Sequence, residues 1–380
     1  MAEVINYRKP KVIYKKRPFL SIVIAYYNGE NTIRALLDSI LEQEGMEEEI
    51  EVILADDCSP HQEEFLQVLA DYEDKISLKA IKTDYNYAPG NTRERGTMVA
   101  EGKWLAFADQ DDLYIPNTLG EVKSIIEEAR EQYYAVAAFY EIDRQSGKVL
   151  RELKEKLNWN HAKFYNLDNL WKAQNIHFKK DLLTHEDIYI SSCINCACRN
   201  LGIRPLFIDK YIYKWMANPN TISRQKYDGH MFLEMFFKDY LESTGEVYLA
   251  KSKTGDLERR FGIGNCIQVI LFCYFYLDSF HFHQNNKYMY ENDEYARDYI
   301  VRVKEFFNLD NKQIYDVAAA NTAQLYNNTL AGALIGTGPY IPTMTFKDWL
   351  DYMHKDIGTT TNIQETLKKK NMEILNYGDE

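Results

Sequence analysis

The sequence predicts an α/β protein with a mostly parallel sheet, followed by a helical region. Three observations predict it. Apolar strands alternate with helices from Leu20 into the segment "YYAVAAFYEI". These strands are apolar on both faces, as in a sheet covered by helices on both sides. After about Arg224 the alternation gives way to long segments with apolar residues at helical spacing. The expected parts are a basic arm over 1–18, an α/β domain over 19–224 and a helical region over 225–380.

The elements follow in order. Tyr7–Pro18 holds six cations and no acid. A membrane-surface or polyanion arm is one reading; a solvated, frayed terminus is favoured. Leu20–Asn28 is a buried strand ending in a polar turn. In "NTIRALLDSILEQ", Ile33, Leu36, Leu37, Ile40 and Leu41 fall on one helical face, with Asn31 or Thr32 as the cap. Glu51–Asp57 is a second strand, "QEEFLQVLADY" a second helix, and "SLKAIKT" and "WLAFAD" two more strands. A helix near Leu119–Gln132 leads to a fifth strand. The C-terminal segments, such as "HMFLEMFFKDYLES" and "NCIQVILFCYFYLDSFHFH", read as helices that bind an acceptor or form a homo-oligomer.

Bulk properties narrow the function. The 380 residues suit one large domain or two ordinary ones, and 46% hydrophobic with 27% charged residues is globular. A net charge of -12 disfavours nucleic acid and anionic lipid as general partners, the basic arm aside. No apolar leader is visible, and the longest apolar run, Val269–Leu277, is half the length of a membrane span. A cytoplasmic protein is expected, with peripheral membrane contact left open. Cys193, Cys196 and Cys198 read as buried thiols; one Cys-x-x-Cys is weak for zinc. Aromatics reach 14%, a surplus that suits sugar or base stacking as well as an ordinary core.

The candidate chemistry lies in the acids. Two strands end in carboxylates: Asp56-Asp57, and the run Asp109, Asp111 and Asp112. In open parallel sheets ligands bind beyond the carboxyl ends of the strands, at a topological switch point, so both clusters are expected to face one crevice. Carboxylates at Asp109 and Asp111 suit Mg²⁺ or Mn²⁺, which bind through one or two carboxylates plus substrate phosphates. That points to a nucleoside diphosphate. An EF-hand is excluded, because Tyr114 and Gly120 stand where Gly and Glu are needed. No P-loop or dinucleotide glycine pattern occurs. In "LLTHEDIYIS", His185, Glu186 and Asp187 offer a general base or a capped helix start with Thr184 as cap; read alone, the capped start is favoured.

Four motifs, in this order and spacing, resemble the family 2 glycosyltransferases of the GT-A, Rossmann-like fold. They are "SIVIAYYNGENTIRALLDSILEQ", "VILADDCSP", "GKWLAFADQDD" and "HEDIYIS". The likeness spans about Leu20 to Arg224. It implies that Ala25 and Tyr27 meet the nucleotide base and that Asp57 binds the uracil edge, with Asp56 as its alternative. It implies that Arg93 lies near the nucleotide, Glu94 standing where the family often has Asn. Asp109 would contact ribose and metal, Asp111 would be the principal metal ligand, and Asp187 the catalytic base with Glu186 beside it. Ser223 and Arg224 would approach the diphosphate. Many relatives carry a His where Ala217 and Asn218 stand, which leaves a metal or phosphate contact to Asn218, His230, His281 or His283.

The resemblance implies an inverting, metal-dependent transfer from a nucleotide-sugar donor, UDP-linked first, to a glycan or other polymer acceptor such as a cell-envelope polymer. Two other readings stand beside it. A sugar nucleotidyltransferase normally carries a glycine-rich basic loop, whereas "AYYNGENT" has one Gly and no cation. A non-catalytic carbohydrate-binding protein would keep the fold without needing every acid.

Overall fold

The computed structural model describes residues 16–217 other than 84, 158, 180, 181 and 183–185, together with the strand Ile5–Arg8 and residue 305. The chain divides into two units, Met1–Asn218 and Pro219–Glu380, and the described residues apart from 305 belong to the first. The helical region expected over 225–380, and with it Asn218, Ser223, Arg224, His230, His281 and His283, lies outside the described residues, as do Thr184 and His185.

Ten strands form one sheet. In chain order the elements are β1 (Ile5–Arg8), β2 (Leu20–Tyr26), α1 (Ile33–Leu41), β3 (Ile50–Asp56), α2 (Gln62–Tyr72), β4 (Ser77–Lys82), α3 (Pro89–Met98) and β5 (Trp104–Asp109). There follow β6 (Leu113–Tyr114), α4 (Leu119–Glu128), β7 (Tyr134–Asp143), β8 (Val149–Leu153), β9 (Lys163–Asn166), a π-helical turn (Leu167–Lys172), α5 (Glu186–Leu201) and β10 (Leu206–Ala217). The strand order is β1-β4-β3-β2-β5-β9-β7-β10-β6, with β8 beside β7. Strands β4, β3, β2 and β5 are mutually parallel, and β10 is parallel to β7. β9 runs antiparallel between β5 and β7. The chain steps from β2 outward to β3 and β4, then returns to place β5 on the other side of β2. That reversal is the switch point at which open α/β sheets bind ligands.

The two faces of the sheet are covered differently. On one, Ile22, Ile24, Val52 and Leu54 pack with Ile33, Leu36, Leu37 and Ile40 of α1, with α2, and with α4. The apolar stripe that predicts α1 is the stripe it buries. On the other face α3 lies close against the sheet. A Cβ on its Gly96 would come within 2.5 Å of Val23 Cγ1, so the approach requires glycine.

Several boundaries differ from expectation. β2 stops at Tyr26 because Asn28 takes φ 48°, a left-handed turn. α4 stops at Glu128, two residues before Arg130 at φ 53°. Thr32 occupies the position before α1, yet its hydroxyl bonds back to the Gly29 carbonyl at 3.2 Å instead of capping the helix. β1, which includes Tyr7 and Arg8 of the basic stretch, pairs antiparallel with β4, and residues 9–15 lie outside the described residues. Arg17, in the same basic stretch, donates to the carbonyls of Glu101 and Gly102, each at 2.8 Å, and pairs with Asp168 at 2.6 Å.

Candidate active site

The carboxyl ends of β2 and β5 lie side by side, with Ala25 in register with Asp109. Beyond them Gln110 straps the two ends together. Its Oε1 accepts from the Tyr27 N–H and its Nε2 donates to the Tyr27 carbonyl, both at 2.9 Å. The Tyr27 ring is left exposed.

Arg93 ties three elements into one site. It rises from α3 with its side chain only 8% exposed, and donates Nη2 to Asp109 Oδ1 at 2.5 Å and Nη1 to Glu186 Oε1 at 2.7 Å. The acid at the end of β5 and the acid in the first turn of α5 therefore share one guanidinium. Burial would strip the charge from Arg93, but Asp109 and Glu186 outweigh it and hold the group protonated. Burial would likewise raise the Asp109 carboxyl, and Arg93 reverses that, keeping it below its usual range.

Asp111 is 26% exposed and pairs with Arg144 Nη2 at 3.0 Å. Burial, and then the charge of Asp109, push its carboxyl above the usual range. Asp112 is buried and serves the scaffold. Its Oδ2 accepts from the Tyr213 hydroxyl and its Oδ1 from the Met216 N–H, both at 2.8 Å. Tyr213 also accepts from the Asp109 N–H at 3.1 Å, so β10 fixes the backbone of the acidic run. The end of β5 thus delivers three carboxylates in different surroundings: Asp109 and Asp111 are partly exposed, and Asp112 is buried and bound to β10.

A divalent metal fits Asp109 and Asp111. Each keeps one carboxylate oxygen in an ion pair and one without a hydrogen bond among the described residues. The mutual repulsion that raises Asp111 is what a bound cation relieves. A second grouping, Asp109, Asp112 and His161, places ligand atoms within 4.8 Å of one another. It fits less well, because both Asp112 oxygens are already taken. His161, sandwiched by Tyr213 and Trp215, is drawn down to about 4 by burial and stays neutral.

Asp56 and Asp57 lie at the end of β3 and are both buried. Asp56 Oδ1 accepts from the Ser59 N–H at 2.9 Å, closing the turn into α2. Asp57 accepts from the N–H groups of Tyr87 at 2.8 Å and Ala88 at 3.1 Å, which holds the loop entering α3. Ala88 there takes φ 76°. Asp57 thus shapes the segment that presents Arg93.

On α5, Glu186 and Asp187 form the acidic first turn, where the helix dipole favours carboxylates. Glu186 is held by Arg93; Asp187 lies within electrostatic reach of Lys163. Cys193, Cys196 and Cys198 are buried thiols further along the same helix. Glu94, beside Arg93, accepts from the Phe178 N–H at 2.9 Å, and burial raises its carboxyl.

Sequence reasoning missed Arg144, His161, Lys163 and Tyr213. None stands in a motif, and each reaches the site from a strand or hairpin distant in the chain. Among the described residues no helix is long and apolar enough to cross a membrane.

Residues 21–182 match glycosyl transferase family 2. The poly(ribitol-phosphate) beta-N-acetylglucosaminyltransferase TarS of Staphylococcus aureus is 35% identical over 109 residues, covering 28% of this chain and 19% of TarS. The succinoglycan biosynthesis protein ExoO of Rhizobium meliloti is 38% identical over 104 residues, covering 27% of this chain and 28% of ExoO. The alignments thus span under a third of either relative. The crystal structure of S. aureus TarS 1-349 in complex with UDP-GlcNAc superposes with a TM-score of 0.59 at 17% identity, over 94% of this chain and 95% of that one. At that identity the likeness shows the fold, which is GT-A.

Proposed function

We propose that the protein is an inverting glycosyltransferase that moves a sugar from a UDP-linked donor to a hydroxyl of a cell-envelope polymer, a reading supported by the match of residues 21–182 to glycosyl transferase family 2. The observation that carries this reading is the Arg93 clamp. One buried guanidinium binds Asp109 and Glu186 at the switch point of the sheet, so the acids that hold a donor and the acid turn that takes a proton share one crevice. Support for the donor comes from the TarS complex with UDP-GlcNAc, and for the acceptor from the polymers in the names of TarS and ExoO.

Each residue then has a task. Ala25 and the exposed Tyr27 ring receive the base, and Asp57 or Asp56 holds the uracil edge. Arg93 sets the orientation of Asp109, which reaches the ribose. Asp111, tethered by Arg144, keeps one oxygen for a cation. The chemistry that Mn²⁺ or Mg²⁺ supplies when bound by Asp109 and Asp111 is neutralisation of charge on the leaving diphosphate. Asp187 accepts the proton of the acceptor hydroxyl as that oxygen forms its bond to the anomeric carbon and the bond to the diphosphate breaks. Glu186, committed to Arg93, fixes the turn that carries Asp187.

The test is UDP release from UDP-GlcNAc, UDP-glucose and other UDP-, GDP- and TDP-sugars, with Mn²⁺, Mg²⁺ or EDTA. UDP release that EDTA stops, and that Asp187→Asn lowers by about 10²–10⁴-fold, supports the proposal. Pyrophosphate release from UTP would instead indicate a nucleotidyltransferase. Sugar binding with no turnover of any donor would indicate a carbohydrate-binding protein.

A further inference from the structure

The turn that follows β2 is held from both sides, by different means. Toward β3, the Asp57 N–H donates to the Tyr26 carbonyl at 2.8 Å and the Ser59 hydroxyl accepts from the Asn28 N–H at 3.0 Å. Toward β5, the backbone register ends at Ala25 opposite Asp109. There the chain leaves the sheet in a turn closed by the Asp112 N–H on the Asp109 carbonyl at 3.0 Å, with Gln110 and Asp111 at its corners. Gln110 supplies the missing rung with its side chain. A primary amide carries the same donor and acceptor as a peptide group, and this one engages both the N–H and the carbonyl of Tyr27 at 2.9 Å. Gly29 makes room for it, because a Cβ there would come within 2.6 Å of Gln110 Cδ. Gln110 is partly exposed. Two hydrogen bonds in such a place add little stability, since water serves the same backbone groups. What the strap does fix is the position of the exposed Tyr27 ring relative to the two partly exposed acids that flank Gln110.

We propose, on the reading of Tyr27 as the base contact and of Asp109 and Asp111 as cation ligands, that Gln110 is a positioning residue: it locks the base-binding turn to the cation-binding acids, so that a nucleoside diphosphate and a divalent cation bind cooperatively. Such a ligand spans both parts, with its base at Tyr27 and its phosphates sharing the cation. When the cation is present both ends must fit at once, and a strap formed beforehand removes freedom that binding would otherwise have to quench. When it is absent only the base end is gripped, and the placement of the acids matters less. The amide does this without adding charge. A lysine at position 110 would compete with the cation for the acids, and a glutamate would offer the Tyr27 carbonyl no donor.

The experiment compares wild type, Gln110→Met, Gly29→Ala and the double variant. Amide exchange in ¹⁵N-tyrosine-labelled protein, with Tyr27 assigned through Tyr27→Phe, needs no ligand. The Tyr27 N–H should exchange about tenfold faster or more in all three variants. Calorimetry then follows UDP binding in Mn²⁺ and in EDTA. Gln110→Met should raise the UDP Kd about tenfold in Mn²⁺ and about twofold or less in EDTA. Gly29→Ala keeps the amide and removes only its seat, so it should reproduce both effects, and the double variant should add little to either. It also reports on the strap independently of how well the methionine variant folds. Melting temperatures should stay within about 4 °C of wild type. Equal Tyr27 exchange in wild type and variants overturns the inference. So does an unchanged UDP Kd, or a loss of the same size with and without Mn²⁺, which would mark simple damage to the base turn. Wild type that binds no UDP in either condition overturns the proposed function itself, and the nucleotide role of the strap falls with it.

Discussion

Two ionic clusters lie at opposite ends of the same sheet and serve opposite ends. At the amino edge Glu51 is fully buried, where its carboxylate accepts from the Ser21 hydroxyl and the Gly102 N–H and pairs with Lys79 at 2.8 Å. At the carboxyl edge Arg93 is buried in the same way, but the carboxylate it holds on Asp109 is 35% exposed. In the amino-edge cluster the carboxylate of Glu51 is the buried group and its partners staple β2, β3, β4 and the turn before β5, with Lys79 reaching on to the exposed Glu101. The carboxyl-edge cluster is open, with the cation inside and the acids at the mouth. A buried ion pair becomes a site when the paired groups retain valences toward solvent, and a staple when they do not.

Breaking each cluster should separate the two roles. Arg93→Met leaves Asp109 and Glu186 facing each other unpaired. UDP release should fall more than a hundredfold, and stability should drop by about 3 kcal/mol, near the lower bound for a broken buried pair because Asp109 is partly exposed. Glu51→Ala takes a shared buried acceptor from Lys79, the Ser21 hydroxyl and the Glu101 and Gly102 N–H groups. Because Lys79 keeps Glu101 and the Val99 carbonyl, and Gly102 keeps Ser21, the cost in urea unfolding should be about 3 kcal/mol. Its UDP release per folded molecule should stay within about twofold of wild type, and a large loss would show that the amino edge is not merely a staple.

Gly96→Ala sharpens the comparison from within α3. The new Cβ would press on Val23, costing about 1–3 kcal/mol, and the displaced helix carries Arg93 with it. Stability and UDP release should therefore fall together. The smallest effect is expected at Glu94. Burial raises its carboxyl in the folded protein. The folded chain then keeps a proton that the unfolded chain has lost, so stability falls as pH rises from the unfolded value through the folded one. Glu94→Gln removes that loss. Its melting temperature should exceed wild type at pH 7 and converge with it in acid, below the range where the unfolded glutamate ionises.

The parts of the fold that were legible in advance are those where burial is local. Strands β2, β3, β5 and β7 are mostly apolar runs, β4 sets Leu78, Ala80 and Ile81 among polar residues, and α1, α2 and α4 carry stripes at helical spacing. α3 escaped because "PGNTRERGTM" has no such stripe: it packs through Gly96 and buries Asn91, Thr92, Arg93, Arg95 and Thr97. β9 escaped because four residues, one of them lysine, do not read as a strand interior. The acidic ends of β3 and β5 were visible, yet the difference between Asp111 at the crevice and Asp112 locked to Tyr213 was not.

The sequence by itself determined the alternating α/β scaffold and the delivery of acids to the ends of its strands, because hydrophobic periodicity and strand termini are properties of neighbouring residues. Tertiary structure alone decided which acid meets which cation. Arg93 with Glu186 and Arg144 with Asp111 are joined across tens of residues, and charge interactions depend on distance in space and on burial, neither of which spacing along the chain encodes.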